Sequence, residues 1–340
     1  MYKNKKFIVV EGPIGVGKTT LAKKLANSLD SEILLENFLD NPFLKLFYND
    51  IERYALPTQL YFLLQRSNDF SKENSSGMNL AYGVREFPMG AINNGIAQHG
   101  GLYPFGATFF VFADYERPAV RLRALQGLPC ISEYTHDSIY VGEDGPTHQP
   151  IEHLMSYRAI PNLLVLRPAD ANEAVIASKI AFEQKNRPSM VLLTRQGLPV
   201  FDRSVYPVAS SIEKGGYVMC DHDNPDIMIL ATGSEVWIAL EVAKMLSDLN
   251  IKVVNLACWE LFEDQDSSYK ENVLKCTNNT LIVSVEAGIT DGWQKYTGRN
   301  GLNIGINTFG ESAPGKVVAE HFKLTPEGVV YKIKHRMDTT

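Results

Sequence analysis

The sequence is poor in the features that mark secreted, membrane-spanning and nucleic-acid-binding proteins. It has four cysteines in 340 residues and no C-x-x-C pair, so neither a disulfide framework nor a zinc site is predicted. No stretch approaches the roughly 18 apolar residues of a membrane-spanning helix. The net charge of −6 argues against a nucleic-acid-binding face. We therefore expect a protein of the reducing cytoplasm, with neither membrane nor nucleic acid as partner.

The overall composition is that of a globular chain, with 45% hydrophobic and 21% charged residues. At roughly 150 residues per domain, this length predicts two domains, with room for a third. The first apolar run, Phe7–Val10, is too short for a signal peptide and predicts a strand.

Short apolar segments alternate with helix-like segments from about Gly83 onward. The predicted strands include "TFFVF", "LPCIS" and "LLVLRP", and the predicted helices include "PAVRLRALQ" and "DANEAVIASKIAFEQ". Such alternation is typical of a parallel α/β sheet. Residues 200–222 show no clear period and are predicted to be a linker with a short hairpin. A further α/β unit begins at "DIMILATGSEV".

A phosphate-binding motif lies near the start of the chain. The segment "GPIGVGKT", residues 12–19, matches G-x-x-x-x-G-K-[ST] without a mismatch, and a helix is predicted from about Lys18 to Leu29. Its glycines let backbone N–H groups surround a phosphate at the start of a helix. Lys18 would reach the outer phosphates and Thr19 would hold Mg²⁺. The predicted ATP–Mg²⁺ site consists of Gly12, Gly15, Gly17, Lys18 and Thr19.

Residues 5–66 resemble deoxynucleoside kinases through "IVVEGPIGVGKTTLAKKLA", "LLENFLDNPFLKLFYND" and "YALPTQLYFLLQR". The resemblance implies that Glu36 takes the proton of a 5′-hydroxyl, that Tyr48 contacts the sugar and that Gln59 pairs with the base. Without the resemblance, solvent-facing side chains are the favoured interpretation of Tyr48 and Gln59. The arginine-rich lid of such kinases, which stabilises the transferred phosphoryl group, does not follow residue 66. We therefore expect a truncated kinase-like βαβ fragment without kinase activity.

The chain from about Asn79 onward resembles transketolase. The motifs that carry this resemblance include "YGVREFPMGAINNGIAQHGG", "THDSIYVGEDGPTHQPIEHL", "RAIPNLLVLRPADANE", "LLTRQGLP" and "SVEAGITDGWQKYTG". The resemblance implies thiamine diphosphate as cofactor and transfer of two-carbon ketol units between phosphosugars. The expected fold class is α/β, with the truncated P-loop fragment followed by two domains of transketolase type that contain parallel or mixed sheets.

Five segments follow from these two resemblances. We expect a kinase-like fragment at 1–66, a junction at 67–78 and a pyrimidine-binding domain, shortened at its start, at 79–200. A linker at 201–224 and a C-terminal domain at 225–340 complete the chain.

The cofactor residues are implied by the resemblance. Glu86, in "VREFPM", would act in catalysis by holding N1′ of the aminopyrimidine. Pairing of Glu86 with Arg85 is the weaker alternative, since neighbours on a strand face opposite sides. Phe109, Phe112 and Tyr115 would form the pyrimidine pocket. By spacing alone, ordinary core is the favoured interpretation of these three aromatic residues, and the resemblance favours the pocket.

The substrate residues are also implied by the resemblance. Asp144 would contact a sugar hydroxyl, and His148 would polarise the carbonyl group and move protons. His136 and Arg195 would bind the sugar phosphate, because a guanidinium fits a phosphate with two parallel hydrogen bonds. A solvated loop is the alternative for these charged residues. No helical ligand pair is present, so no metal site is predicted.

The part of such a site that binds diphosphate and Mg²⁺ is expected to be missing. The segment "GEDG" at 142–145, with Asn172 beyond it, mimics the usual Gly-Asp-Gly motif but lies among the sugar-binding residues, and we reject it. Because the family's active site forms between subunits, we expect a half-site that needs a dimer or a partner chain and is inactive alone. A deoxynucleoside kinase and an inactive fusion of two truncated enzymes remain alternatives.

Overall fold

The computed structural model describes residues 18–28, 80 and 82–339. These residues fall into two compact units, one that holds helix α1 (Lys18–Ser28) and the residues up to Val84, and one that begins at Arg85. Helix α1 agrees with the helix predicted from about Lys18. The predicted strand Phe7–Val10 lies outside the described residues.

The first sheet of the second unit has four strands in the order β1-β2-β4-β3, and all neighbours are parallel. Its elements, in chain order, are α2 (Glu86–His99), β1 (Phe105–Phe109), α3 (Ala113–Gln126), β2 (Ile131–Thr135), α4 (His153–Arg158), β3 (Leu164–Leu166), α5 (Ala171–Glu183) and β4 (Ser189–Leu192). Strands β2, β3 and β4 are buried along their whole length, as expected for a parallel sheet covered on both faces.

The second sheet has five strands in the order β5-β7-β6-β8-β9. Its elements are β5 (Tyr217–Cys220), β6 (Ile227–Ala231), α6 (Glu235–Met245), β7 (Ile251–Asn255), α7 (Trp259–Glu263), α8 (Ser267–Val273), β8 (Leu281–Val285), α9 (Gln294–Thr297), β9 (Leu302–Ile304), α10 (Gly315–His321) and α11 (Pro326–Asp338). Strand β5 pairs antiparallel with β7, and the other neighbours are parallel. One hydrophobic cluster contains side chains of both sheets, including Leu164 and Ile229.

The predicted α/β class with parallel and mixed sheets is confirmed, while three local expectations are wrong. Glu86 begins α2 rather than lying on a strand. The strand expected through "TFFVF" ends at Phe109, and a 3₁₀ turn follows at Phe110–Phe112. The hairpin expected within 200–222 is absent from these described residues, because β5 pairs with the distant strand β7.

A buried polar network holds α2 against α3 and β2. The Arg123 guanidinium, 1% exposed, donates to Asn94 Oδ1 at 2.8 Å, to Ser132 Oγ at 2.7 Å and to Glu116 Oε1 at 2.5 Å. The Tyr134 hydroxyl donates to Glu116 Oε2 at 2.6 Å. These bonds satisfy charges that would be costly to bury alone, and they fix the helix that begins with Glu86.

The close approach of α2 and α3 leads to a stability prediction at Gly90. A Cβ at this position would lie 2.6 Å from Glu116 Cγ and 2.8 Å from Ala119 Cβ. We expect Gly90→Ala to lower the free energy of unfolding by about 1–3 kcal/mol in urea denaturation, because the helices must separate. Gly95→Ala on the same helix is the control. A Cβ at Gly95 meets no described atom within 4 Å. Because alanine favours a helix more than glycine does, Gly95→Ala should be up to about 1 kcal/mol more stable than the wild type. Equal stability of the two variants would contradict the helix spacing.

A second buried network joins the two sheets through Arg167. Its Nε donates to Asp137 Oδ2 at 2.9 Å, its Nη1 donates to the Thr232 carbonyl at 2.9 Å, and Nη1 also pairs with the Glu235 carboxylate. Arg167 is 1% exposed, and Glu235 is fully buried. Burial raises the pKa of the Glu235 carboxyl, and Arg167 opposes that rise. The network therefore ties Asp137, beside the predicted site residue His136, to the second sheet.

Glu286, on the loop after β8, extends this network. It accepts two hydrogen bonds from Arg158, at 2.8 and 2.9 Å, one from Thr232 Oγ1 at 2.5 Å and one from Trp293 Nε1 at 3.0 Å. Burial disfavours the carboxylate, but Arg158 and then Arg167 outweigh it and lower the pKa of Glu286. The interface between the sheets is thus ionic as well as apolar.

No helix among the described residues is long and apolar enough to cross a membrane. All four cysteines are free thiols.

Candidate active site

A run of aromatic rings lies where β1 and β2 end. The register pairs Phe109 with Thr135, so the residues after both strands meet at one edge of the sheet. The rings of Phe109 and His136 stack with centroids 3.7 Å apart, and Phe112 stacks on Phe109 at 5.9 Å. Phe112 also contacts Tyr115 at 6.2 Å and His148 at 5.5 Å. We call these rings the aromatic ladder: His136, Phe109, Phe112, Tyr115 and His148.

The aromatic ladder is only partly covered. Phe109 and Phe112 are half-buried, and Tyr115 is 66% exposed. Fully buried rings such as Phe110, in contrast, pack into the core between α3 and α4. The ladder therefore offers flat faces on which a heterocycle could stack. That these rings hold a pyrimidine stays a prediction.

The loop after β2 has a special backbone. His136 has a φ of +59°, in the left-handed region that non-glycine residues seldom adopt. Its Nδ1 lies 2.9 Å from Thr135 Oγ1, and the next residue, Asp137, is held by Arg167. The strained conformation thus persists because both neighbours of His136 are fixed by hydrogen bonds.

His136 interacts electrostatically with two other residues that were predicted to bind substrate, Arg195 and Asp144. Burial lowers the pKa of His136, the Arg195 charge lowers it further, and Asp137 and Asp144 act in the opposite direction. Arg195 and Asp144 are both exposed. An anion would suit this pair of residues, because it could pair with the Arg195 guanidinium and accept a hydrogen bond from the His136 ring.

The pKa of His136 provides a direct test of this geometry. We expect its ring proton resonances in NMR to titrate below pH 6.5, the ordinary value, and we expect Arg195→Met to move the midpoint upward. The rise follows because the nearby positive charge is removed. Arg299→Met, at another exposed arginine, should leave the midpoint unchanged. An unchanged midpoint in Arg195→Met would show that Arg195 does not face His136.

The segment with Asp144 and His148 is braced by the C-terminal part of the chain. The Gln149 side-chain amide donates to the Gly142 carbonyl at 2.8 Å and to the Glu311 carbonyl at 2.9 Å. Thr147 Oγ1 lies 2.8 Å from Nδ1 of the half-buried His148 ring. His148 is therefore oriented between a hydroxyl group and the Phe112 ring.

Glu86 lies in the described part of the chain, whereas most of the kinase-like residues do not. Glu86, partly buried, is the first residue of α2, the helix that the Arg123 network holds in place. Lys18 and Thr19 begin α1, but their side chains lie outside the description. The remaining predicted kinase-like residues also lie outside the described residues: Gly12, Gly15, Gly17, Glu36, Tyr48 and Gln59.

Two residues that support this edge of the sheet were missed in the sequence: Asp137 and Arg167. The position of each residue in the sequence pointed to the site, because Asp137 adjoins His136 and Arg167 directly follows the apolar strand β3. Nothing in the sequence pointed to the pairing of these two residues, which are 30 positions apart.

Fold and site together define a class, an α/β protein whose parallel sheet carries aromatic and cationic side chains at its carboxyl edge. Residues 61–200 match the family model described as transketolase, pyrimidine binding domain, and residues 215–325 match the transketolase-like C-terminal domain. Residues 8–80 match the deoxynucleoside kinase model. Two successive segments of the chain thus match models of the two transketolase domain types that were expected from the sequence.

Individual relatives agree with these family models. A transketolase of Aquifex aeolicus is 50% identical over 274 residues, which are 80% of this chain and 40% of that protein. The structure of transketolase from Leishmania mexicana is 39% identical with a TM-score of 0.73, over 79% of this chain and 39% of that one. A split gene transketolase described as an inactive beta4 tetramer is 25% identical with a TM-score of 0.62, over 75% of this chain and 83% of that one. The fold is therefore of transketolase type, and the chain spans about two fifths of its curated relatives' length.

Proposed function

We propose that residues 85–339 form the pyrimidine-binding half of a thiamine diphosphate site that transfers a two-carbon ketol unit between phosphosugars. The observation that carries this proposal is the aromatic ladder, whose His136 ring interacts with the charges of Arg195 and Asp144, in a segment that matches the transketolase pyrimidine-binding model.

The residues present fit the aminopyrimidine ring of the cofactor. The half-buried rings of Phe109 and Phe112 and the exposed ring of Tyr115 would stack on the heterocycle and exclude water from it. Glu86 would hold a proton at N1′ of the ring. When bound, thiamine diphosphate supplies a group that stabilises a carbanion.

The remaining site residues would bind the phosphosugar. Arg195 would pair with the phosphate through its fork of N–H groups, and the neutral His136 ring beside it would take up a proton as the anion binds. Asp144 would accept a hydrogen bond from a sugar hydroxyl. His148, oriented by Phe112 and Thr147, would move a proton at the substrate's carbonyl oxygen.

A second polypeptide or a second copy would supply the side of the site that binds diphosphate and Mg²⁺. This part of the proposal is supported by the likeness to the split gene transketolase, of which this chain covers 83%. We therefore expect the chain to be inactive by itself. A cytoplasmic location, consistent with four free thiols, is part of the proposal.

Reconstitution tests this function. The purified chain is assayed with xylulose 5-phosphate, ribose 5-phosphate, thiamine diphosphate and Mg²⁺, with and without the separately produced diphosphate-binding half of a bacterial transketolase. Ketol transfer only in the mixture is the expected result. Transfer by the chain alone would contradict the half-site, and a mixed complex that binds the cofactor without any transfer would contradict the reaction.

A second candidate function, nucleotide binding at residues 12–19, is favoured by the kinase-model match at 8–80. Calorimetry with ATP and Mg²⁺ should detect binding that is lost in Lys18→Ala, because Lys18 would contact the outer phosphates. Equal ATP binding by the wild type and by Lys18→Ala would show that Lys18 does not contact the phosphates. Phosphorylation of a deoxynucleoside would establish the kinase alternative.

The third hypothesis is that the chain is an inactive fusion of two truncated enzymes. The mass of the protein isolated from its native cell shows whether the fused chain exists, since the intact chain has a mass of 37.9 kDa. Two smaller products would show that the kinase-like and transketolase-like segments are separate proteins.

A further inference from the structure

A histidine and two carboxylates meet where α3 and α4 begin. Asp114 lies in the first turn of α3, Glu152 directly precedes α4 and His153 is its first residue. One possible ligand atom from each residue can be chosen so that all three lie within 4.8 Å of one another. The carboxylate side chains are about half exposed, at 50% and 53%, while the His153 side chain is 7% exposed. The cluster thus combines a buried imidazole with two acids open to solvent.

The His153 ring has the arrangement of a metal ligand more than that of a hydrogen-bonded histidine. Its Nε2 lies 3.1 Å from Asp114 Oδ2 and its Nδ1 lies 3.8 Å from Glu152 Oε2. Neither nitrogen forms a hydrogen bond within the described part of the chain, although both are buried. A buried polar group without a hydrogen bond is costly and calls for an explanation.

A cation can bind only one nitrogen of an imidazole ring, and a cation bound by Nε2, which faces Asp114, would explain the geometry at that nitrogen. With metal–ligand bonds of about 2.1 Å in a tetrahedral site, two ligand atoms lie roughly 3.4 Å apart without pointing at each other. The 3.1 Å separation of Nε2 and Oδ2, out of hydrogen-bond alignment, is close to that value. Two carboxylates also supply the negative charge that a divalent cation requires. A protonated His153 paired with Asp114 alone is the competing explanation.

The scaffold around the cluster is already fixed. Arg117 of α3 donates to Ser156 Oγ at 2.8 Å and to the Ser156 carbonyl at 2.9 Å, and the Tyr157 hydroxyl donates to the Ala113 carbonyl at 2.5 Å. These bonds clamp the starts of α3 and α4 together beside the cluster. Arg117 is a cation on the same helix as Asp114, but its guanidinium is held by Ser156. Ligands on clamped helices lose little entropy when they bind a metal.

We propose that Asp114, Glu152 and His153 bind one divalent transition-metal cation, with Zn²⁺ as the representative ion. Imidazole and carboxylate are suitable ligands for this class of ion, and water would complete the coordination. The cation would link α3 to α4 and stabilise the fold at the end of α3 where the helix begins. The proposed metal site does not depend on ketol transfer.

The test uses the full chain after removal of metals by a chelator. Zn²⁺ is titrated in competition with a chromogenic chelator against the wild type, Asp114→Asn/Glu152→Gln and a charge-matched control, Asp248→Asn/Glu271→Gln, in which both replaced acids are exposed. We expect the wild type and the control to bind Zn²⁺ equally. The site variant should lose one equivalent or bind about tenfold or more weakly, because two of its three ligands are neutralised. Equal stoichiometry and affinity in all three proteins would overturn the proposal.

A second measurement follows His153 in the wild-type protein. One equivalent of Zn²⁺ should shift the ring nitrogen resonances of His153 in the wild-type protein and raise its thermal unfolding midpoint. The midpoint of the site variant should not rise. Unchanged His153 resonances would assign the cluster to a simple ion pair and overturn the metal site.

Discussion

Replacing Arg167 by methionine is expected to lower the free energy of unfolding by about 3–5 kcal/mol, because the substitution leaves buried acids without their cation. Asp137 is 3% exposed and Glu235 is fully buried, so water cannot replace the lost partner. Methionine keeps much of the side-chain volume, which limits the contribution of an empty cavity. Urea denaturation followed by circular dichroism measures the difference.

Arg187→Met is the matched control, since it removes the same groups from a pair at the surface. Arg187 pairs with Asp264, whose side chain is 54% exposed. Exposed pairs contribute about 0–1 kcal/mol, so this variant should stay near the wild type. If the two variants were equally stable, the contact between the two sheets would depend on apolar packing alone.

Replacing His148 by glutamine is expected to lower kcat by about 100-fold to 10,000-fold in the reconstituted complex, the usual contribution of a group that moves protons in the transition state. This prediction depends on the proposed function. Cofactor affinity should be retained, because the stacking rings Phe109, Phe112 and Tyr115 are untouched. Steady-state kinetics and a thiamine diphosphate titration measure the two quantities separately.

His222→Gln, on an exposed loop between β5 and β6, is the control for this prediction and should keep wild-type turnover. An increase in KM at unchanged kcat in His148→Gln would assign His148 to substrate binding alone. Wild-type values of kcat and KM in His148→Gln would show that His148 takes no part in the reaction.

The sheets could be predicted from the sequence because buried parallel strands are near-continuous apolar runs. The runs "LLVLRP" and "DIMILATG" contain β3 and β6, and the helix after β3 begins at Ala171, within one residue of the predicted segment "DANEAVIASKIAFEQ". Helix α2 was harder to predict. Its beginning at Glu86 depends on packing against α3 at Gly90, which no local pattern reveals.

The aromatic ladder could be predicted only in part. The spacing of Phe109, Phe112 and Tyr115 fitted both a pocket and ordinary core, and only the resemblance favoured the pocket. Contact between Phe109 and His136 follows from the register of β1 and β2, which brings together residues 27 positions apart. The Arg167–Asp137 bond joins β3 to a loop in the same non-local way. Interactions of this kind are set by topology rather than by neighbouring residues.

The position of β5 has a consequence for anyone who divides this chain into fragments. A C-terminal piece that starts at residue 225, the predicted domain boundary, would lack β5 and would expose the unpaired backbone of β7. An exposed strand edge recruits other chains, so such a fragment should aggregate at lower concentrations than one that starts at residue 209 and keeps β5. By pairing with β7, strand β5 thus protects the edge of the sheet from pairing with another chain.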